Sequence, residues 1–140
     1  MKRVLVSGAL GKMGTEVIKA IGQASDLEVV CGVDPKAEKD ADGIRYYQEL
    51  APAIKATNPD VVVDFTHPGV VLENIKICLE HGVRAVVGTT GLTAEDVERL
   101  EHEAAKPDWA ALIAPNFAIG AVLMMKFAQE AARYFPNVEI

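Results

Sequence analysis

Apolar positions along this chain alternate between two periods. Val4-Leu5-Val6 are the apolar centre of Lys2 to Ser7, K-R-V-L-V-S, which reads as a short strand. Val17, Ile18 and Ile21 then recur at helical spacing, and Leu27 to Val33 returns to a β-branched run that ends at Asp34. The polar stretch P-K-A-E-K-D-A-D-G that follows reads as a surface loop. Tyr46 to Ala56 has helical composition, shortened by Pro52. Asn58-Pro59 is a turn, and Asp60 to Asp64 is apolar enough to be a central strand. Pro68 opens a helix to Glu80, with Leu72, Ile75 and Leu79 on one face and Gly82 just past its end. Arg84 to Val87 is the next buried strand. Thr93 caps a helix that carries Glu95 and Asp96 in its first turn, where the dipole favours acids. Trp109 to Ile113 makes a fifth strand, and Ile119 to Tyr134 a long helix stopped before Pro136. Asn137 to Ile140 reads as the start of a further strand, so the pattern breaks off in mid-element.

Strands alternating with helices in this way predict an α/β fold, a doubly wound and mostly parallel sheet of Rossmann type. The first unit adds chemistry to that frame. Gly8-Ala9-Leu10-Gly11-Lys12-Met13-Gly14 joins the first strand to the first helix, and Asp34 closes the second strand about 20 residues past Gly14. Glycines let the backbone approach a pyrophosphate, and the following helix aims its free N–H groups and positive dipole end at the same anion. An acid at the end of the second strand can accept hydrogen bonds from ribose hydroxyls. The spacing is G-x-x-G-x-x-G, with Ala9 where the commonest fingerprint has its first glycine. A steric turn would explain a glycine triplet alone; strand, triplet, helix and acid in register favour dinucleotide binding.

Composition narrows the partners. With 140 residues the chain is one domain, half apolar and 24% charged, as in soluble globular proteins. A net charge of −6 and no basic stripe argue against nucleic acid. No apolar run reaches the roughly 18 residues that a membrane span requires, so no membrane partner is expected. Cys31 and Cys78 fall inside apolar patterns and read as core thiols of a reducing compartment, which makes the cytoplasm the expected location.

Ligands of open α/β sheets gather at the carboxyl ends of the strands. Three more loops leave such ends: Phe65-Thr66-His67-Pro68, Gly88-Thr89-Thr90-Gly91 and Ala114-Pro115-Asn116-Phe117. They offer hydroxyls, an amide, glycines and aromatic faces but no acid–base pair, which is an inventory for binding. Each alone could be an ordinary turn with a capping residue; three converging on one edge favour a cofactor cleft. His67, His81 and His102 match no metal-ligand spacing, and no metal is expected. His81 and His102 read as solvated, while the His67 loop faces the cleft and suits cofactor contact better than proton transfer. No catalytic residue is expected within the chain.

The motifs V-S-G-A-L-G-K-M-G, V-D-F-T-H-P, V-V-G-T-T-G and A-P-N-F-A-I-G, in that order and spacing, closely resemble the 4-hydroxy-tetrahydrodipicolinate (dihydrodipicolinate) reductase family, from Met1 to Ile140. The resemblance implies reduction of a small cyclic dicarboxylate with NADH or NADPH on the route to diaminopimelate and lysine. Carried over by position, it implies cofactor contacts at Gly8, Ala9, Leu10, Gly11, Lys12, Met13, Asp34, Gly88, Thr89, Thr90, Ala114, Pro115, Asn116 and Phe117. It also implies a homo-oligomeric full-length protein and a second domain beyond V-E-I that carries the proton donor and grips the substrate carboxylates. Pro35 follows Asp34 where members that use NADPH well often have Arg, and the next base is Lys36. Both cofactors are therefore expected, with no turnover by these residues alone. Two other readings are the cofactor domain of a different amino-acid-pathway dehydrogenase and a non-catalytic nucleotide-sensing module. The order G-T-T-G then A-P-N-F counts against the first.

Overall fold

The structure is a computed structural model and describes residues 1–104, 109–114 and 116–135. Among the described residues six strands form one sheet: β1 (Lys2–Ser7), β2 (Leu27–Val33), β3 (Tyr46–Tyr47), β4 (Val61–Asp64), β5 (Arg84–Val87) and β6 (Ala111–Ile113). Their order is β3-β2-β1-β4-β5-β6, and every named pair is parallel. The chain winds outward from β1 to β3, then crosses back beside β1 and winds the other way. This reversal opens a crevice at the carboxyl ends of β1 and β4.

The described residues also form five helices: α1 (Lys12–Gln23), α2 (Leu50–Thr57), α3 (Val71–Glu80), α4 (Ala94–Glu103) and α5 (Ile119–Ala132). The two sheet faces bury different partners because side chains alternate along each strand. Leu5, Cys31, Val62 and Val87 pack with Leu50 and Ile54 of α2, Ile75 and Cys78 of α3, and Leu100 of α4. Val4 and Val6 pack on the other face with Ile21, Val17 and Ile18 of α1. Apolar residues on both faces of β1 and β4 explain why these runs are continuous in sequence.

Several element boundaries differ from those expected. Tyr46-Tyr47 is a sixth strand at the sheet edge, and the helix expected over 46–56 begins only at Leu50. Its pairing is local: Gly32 N–H donates to Arg45 O at 2.9 Å, Asp34 N–H to Tyr47 O at 2.9 Å and Tyr46 N–H to Asp40 Oδ1 at 3.0 Å. The mostly parallel sheet that was expected is present, and among the described residues every pairing of named strands is parallel. Pro68 does not open α3 directly; His67 O accepts the N–H groups of Val70 and Val71 in a turn that precedes the helix. Thr93 caps α4 as expected, and Asp96 completes a reciprocal capping box with it. The strand expected at 109–113 begins at Ala111, and the helix expected to reach Tyr134 ends at Ala132. The strand expected at 137–140 lies outside the described residues. No residue of α5 is buried: Ile119 is 77% and Phe127 66% exposed. Among the described residues, no helix is long and apolar enough to cross a membrane.

Candidate functional site

The glycine turn is held from below. Gly8 N–H and Ala9 N–H both donate to Val33 O, at 2.8 and 3.1 Å, and Gly11 N–H donates to Gly8 O at 3.0 Å. Gly8 adopts φ +77, and a Cβ there would strike the Phe65 carbonyl; a Cβ on Gly14 would strike the Gly8 carbonyl. Gly8 therefore lets β4 approach the loop, and Gly14 lets α1 pack against it. Gly11 is the N-cap of α1, with no side-chain cap and no acid in the first turn. The helix thus presents uncompensated N–H groups and its positive dipole end, the elements of an anion site.

Two cavities meet over this turn. The first, about 760 Å³, runs between Gly8, Leu10, Asp34, Lys36, the start of α2, Phe65 to His67 and Asn74. The second, about 380 Å³, lies between Gly11, Lys12, Met13, Thr66, Gly88, Thr89 and Thr90. Gly11, Phe65 and Thr66 line both, so they form one crevice along the carboxyl edge of the sheet. Asp34 stands at its far end, with Oδ2 accepting Leu10 N–H at 3.2 Å and Oδ1 accepting Lys36 N–H at 3.0 Å.

The sequence-selected residues occupy different places. Gly8, Leu10, Gly11, Lys12, Met13, Asp34, Gly88, Thr89 and Thr90 line the crevice. Ala9 does not; it is buried beneath the turn against Val4 and Val6. The third loop reaches the crevice through rings: Phe117 meets Phe65 edge-on at 5.2 Å, and Gly88 lies under Phe65 because a Cβ would strike that ring. Asn116 Oδ1 accepts Ala118 N–H at 3.0 Å, and Ala114 N–H donates to Val87 O at 3.0 Å. Pro115 lies outside the described residues. His67 lines the first cavity and its Nδ1 accepts Gly69 N–H at 3.1 Å. His81 Nδ1 donates to Ile77 O at 2.8 Å, which makes it a half-buried helix-end residue where a solvated one was expected. His102 is exposed on α4.

Sequence reasoning missed Asp64. Its carboxylate is 2% exposed and joins the loops under the crevice. Oδ1 accepts Thr89 Oγ1 at 2.6 Å, Thr66 Oγ1 at 2.8 Å and Thr66 N–H at 3.1 Å, and Oδ2 accepts Asn74 Nδ2 at 2.8 Å. Thr89 Oγ1 also accepts Thr66 N–H at 2.7 Å. The signal was an acid at the end of an otherwise apolar central strand, a place that needs a reason. Nearby, burial and then the Asp64 charge push the Cys78 thiol up to about 12. Cys31 is raised by burial, against the Thr57 hydrogen bond.

Comparison with known proteins agrees with this geometry. Residues 2–117 match the family model described as dihydrodipicolinate reductase, N-terminus. A 4-hydroxy-tetrahydrodipicolinate reductase of Listeria welshimeri is 50% identical over 99% of this chain, and one of Syntrophomonas wolfei is 49% identical over 99%. The chain spans only 56% and 55% of their respective lengths. Among solved structures, a dipicolinate-bound dihydrodipicolinate reductase from Paenisporosarcina sp. TG-14 superposes with a TM-score of 0.85 at 38% identity, covering 99% of this chain and 56% of that one. The WlbA dehydrogenase of Bordetella pertussis, in complex with NADH and UDP-GlcNAcA, shares the fold at a TM-score of 0.74 and 22% identity, covering 96% of this chain and 41% of that one.

Proposed function

The chain belongs to the dihydrodipicolinate reductase family, matching its N-terminal part, and from that premise we propose that the crevice binds NADH or NADPH for a full-length protein that reduces 4-hydroxy-tetrahydrodipicolinate to tetrahydrodipicolinate. The observation that carries the cofactor reading is the cradle made by Gly8, Gly11 and Gly14 at the uncapped start of α1, where the two cavities meet. A dinucleotide needs an anion site in the middle of an elongated cleft, with a polar anchor for the adenosine ribose toward one end. In this reading Gly11, Lys12 and Met13 hold the pyrophosphate, and Asp34 accepts from the ribose hydroxyls. Gly88, Thr90, Asn116 and Phe117 bound the nicotinamide end.

When bound, the cofactor supplies a hydride. The chain's own groups bind and orient it, and Phe65, which meets Phe117 edge-on, forms part of the crevice wall. Recognition of the dicarboxylate, the proton donor and self-association into a homo-oligomer belong, in this reading, to the part of the relatives' length that this chain does not span. The proposed location is the cytoplasm, where two buried, free thiols and a reduced dinucleotide are compatible.

Titration with NADH, followed by fluorescence and by heat, tests the cofactor reading. Saturable binding is expected. Folded protein that shows none up to millimolar NADH overturns it.

A further inference from the structure

Asp64 has a feature that the binding inventory does not use. A carboxylate taken out of water is costly unless its oxygens are filled by donors. Here the donors come from three elements: Thr66 in the loop after β4, Thr89 in the loop after β5, and Asn74 in α3. Thr66 lines both cavities, Asn74 the first and Thr89 the second. Both threonine hydroxyls spend their protons on the same oxygen. Thr89 is 7% exposed, while Thr90 beside it is exposed.

We propose that Asp64 is a positioning residue that ties the loop after β4 to the loop after β5, so that Thr89 serves as a strut and the second loop meets the dinucleotide through its backbone and Thr90. The inference rests on the dinucleotide reading and adds a division of labour within it. An acceptor-only group is needed because three donors converge on Oδ1 and a fourth on Oδ2. An amide at position 64 accepts through one oxygen only and turns an NH₂ group toward the Asn74 amide. The first cavity depends less on this tie. Asn74 is carried by a helix anchored through Val71 and Ile75, both essentially buried, and Asp34 lies on a different loop.

The test compares NADH with adenosine 5′-monophosphate, which fills only the adenosine end, by calorimetry on wild type, Asp64→Asn, Thr89→Val and Thr89→Ser, with a thermal melt of each. Asp64→Asn and Thr89→Val are expected to weaken NADH about tenfold and the monophosphate by less than about twofold; Thr89→Ser keeps the hydroxyl and restores NADH binding to within about twofold. If Asp64→Asn does not fold, the Val/Ser pair decides. Equal weakening of both ligands, no weakening of either, or equal behaviour of Val and Ser overturns the positioning role. Wild-type protein that binds neither ligand overturns the dinucleotide reading, and the positioning role falls with it.

Discussion

Asp34 accepts the backbone N–H of Leu10 at 3.2 Å, which joins the end of β2 to the glycine turn after β1. The same carboxylate holds Lys36 N–H at 3.0 Å and is nearly buried. One side chain thus shapes the anion loop and stands where a ribose would be read. Its charge disfavours a 2′-phosphate by up to about 4 kcal/mol at 4 Å and an effective dielectric near 20. Lys36, on the wall of the same cavity, offsets part of that.

Asp34→Ala is therefore expected to act twice. Leaving two backbone donors without their acceptor costs about 1–3 kcal/mol of stability. NADH is expected to weaken more than NADPH, since only the former loses a favourable partner. Parallel titrations of both cofactors, with a thermal melt, separate the two effects. An unchanged ratio of affinities removes Asp34 from the ribose.

The glycines of the turn are not equivalent. A Cβ on Gly14 would meet Ala9 Cα and Gly8 C at 2.8 Å, both backbone atoms that cannot yield. A Cβ on Gly11 meets only Gly8 O, at 3.2 Å, yet stands where both cavities join. Gly14→Ala should lower stability by about 1–3 kcal/mol, the range for overpacking. Gly11→Ala should cost less stability than Gly14→Ala and weaken NADH. Matching losses of stability in both variants would contradict this division.

Much of this layout is legible in the sequence because period and punctuation agree. The β1 run, the glycine turn and the α1 periodicity each point to the same unit, and the crevice lies where strand ends and glycines predict it. Tyr46-Tyr47 escaped because two residues have no period. The signal was aromatic β-propensity opposite Gly32, whose missing side chain leaves room for the Tyr46 ring. Asp64 escaped for the opposite reason. Its partners Thr66, Asn74 and Thr89 are separated along the chain and meet only when β4 and β5 pair. In α5 the apolar residues Ile119, Met124 and Phe127 fit the expected helix, yet nothing among the described residues buries them.

Acid should find two weak points outside the crevice. Asp60 Oδ2 accepts Arg3 N–H at 2.8 Å, and that bond leads the causes that hold its carboxyl below the ordinary 3.8. Asp96 is held below the same value first by Thr93 N–H and then by the Thr93 hydroxyl. A carboxylate with a depressed folded pKa contributes stability that is present above 3.8 and lost as pH falls through its folded value. Both carboxylates are only half-buried, so each contribution is small and screened by salt. The double variant Asp60→Asn, Asp96→Asn should show a shallower loss of melting temperature below about pH 4 than wild type. An identical acid limb would show that other carboxylates govern it.

These 140 residues are expected to bind cofactor without reducing the dicarboxylate. Hydride transfer needs the acceptor held in near-attack geometry, worth roughly 7–11 kcal/mol of the barrier. It also needs a proton delivered to the reduced centre. Neither requirement is met by the crevice among the described residues. Lys12 and Lys36 line different cavities and form no cluster for two carboxylates. His67 has Nδ1 occupied by Gly69 N–H, and among the described residues no carboxylate is hydrogen-bonded to its ring. The check is incubation of the 140-residue chain with NADH and freshly prepared 4-hydroxy-tetrahydrodipicolinate, beside a full-length relative as control. Turnover within about tenfold of that control, a barrier difference of only ~1.4 kcal/mol, would put the catalytic groups inside these residues. His67 would then be the first to replace, and the proposed assignment of substrate binding and proton delivery to the rest of the protein would be wrong.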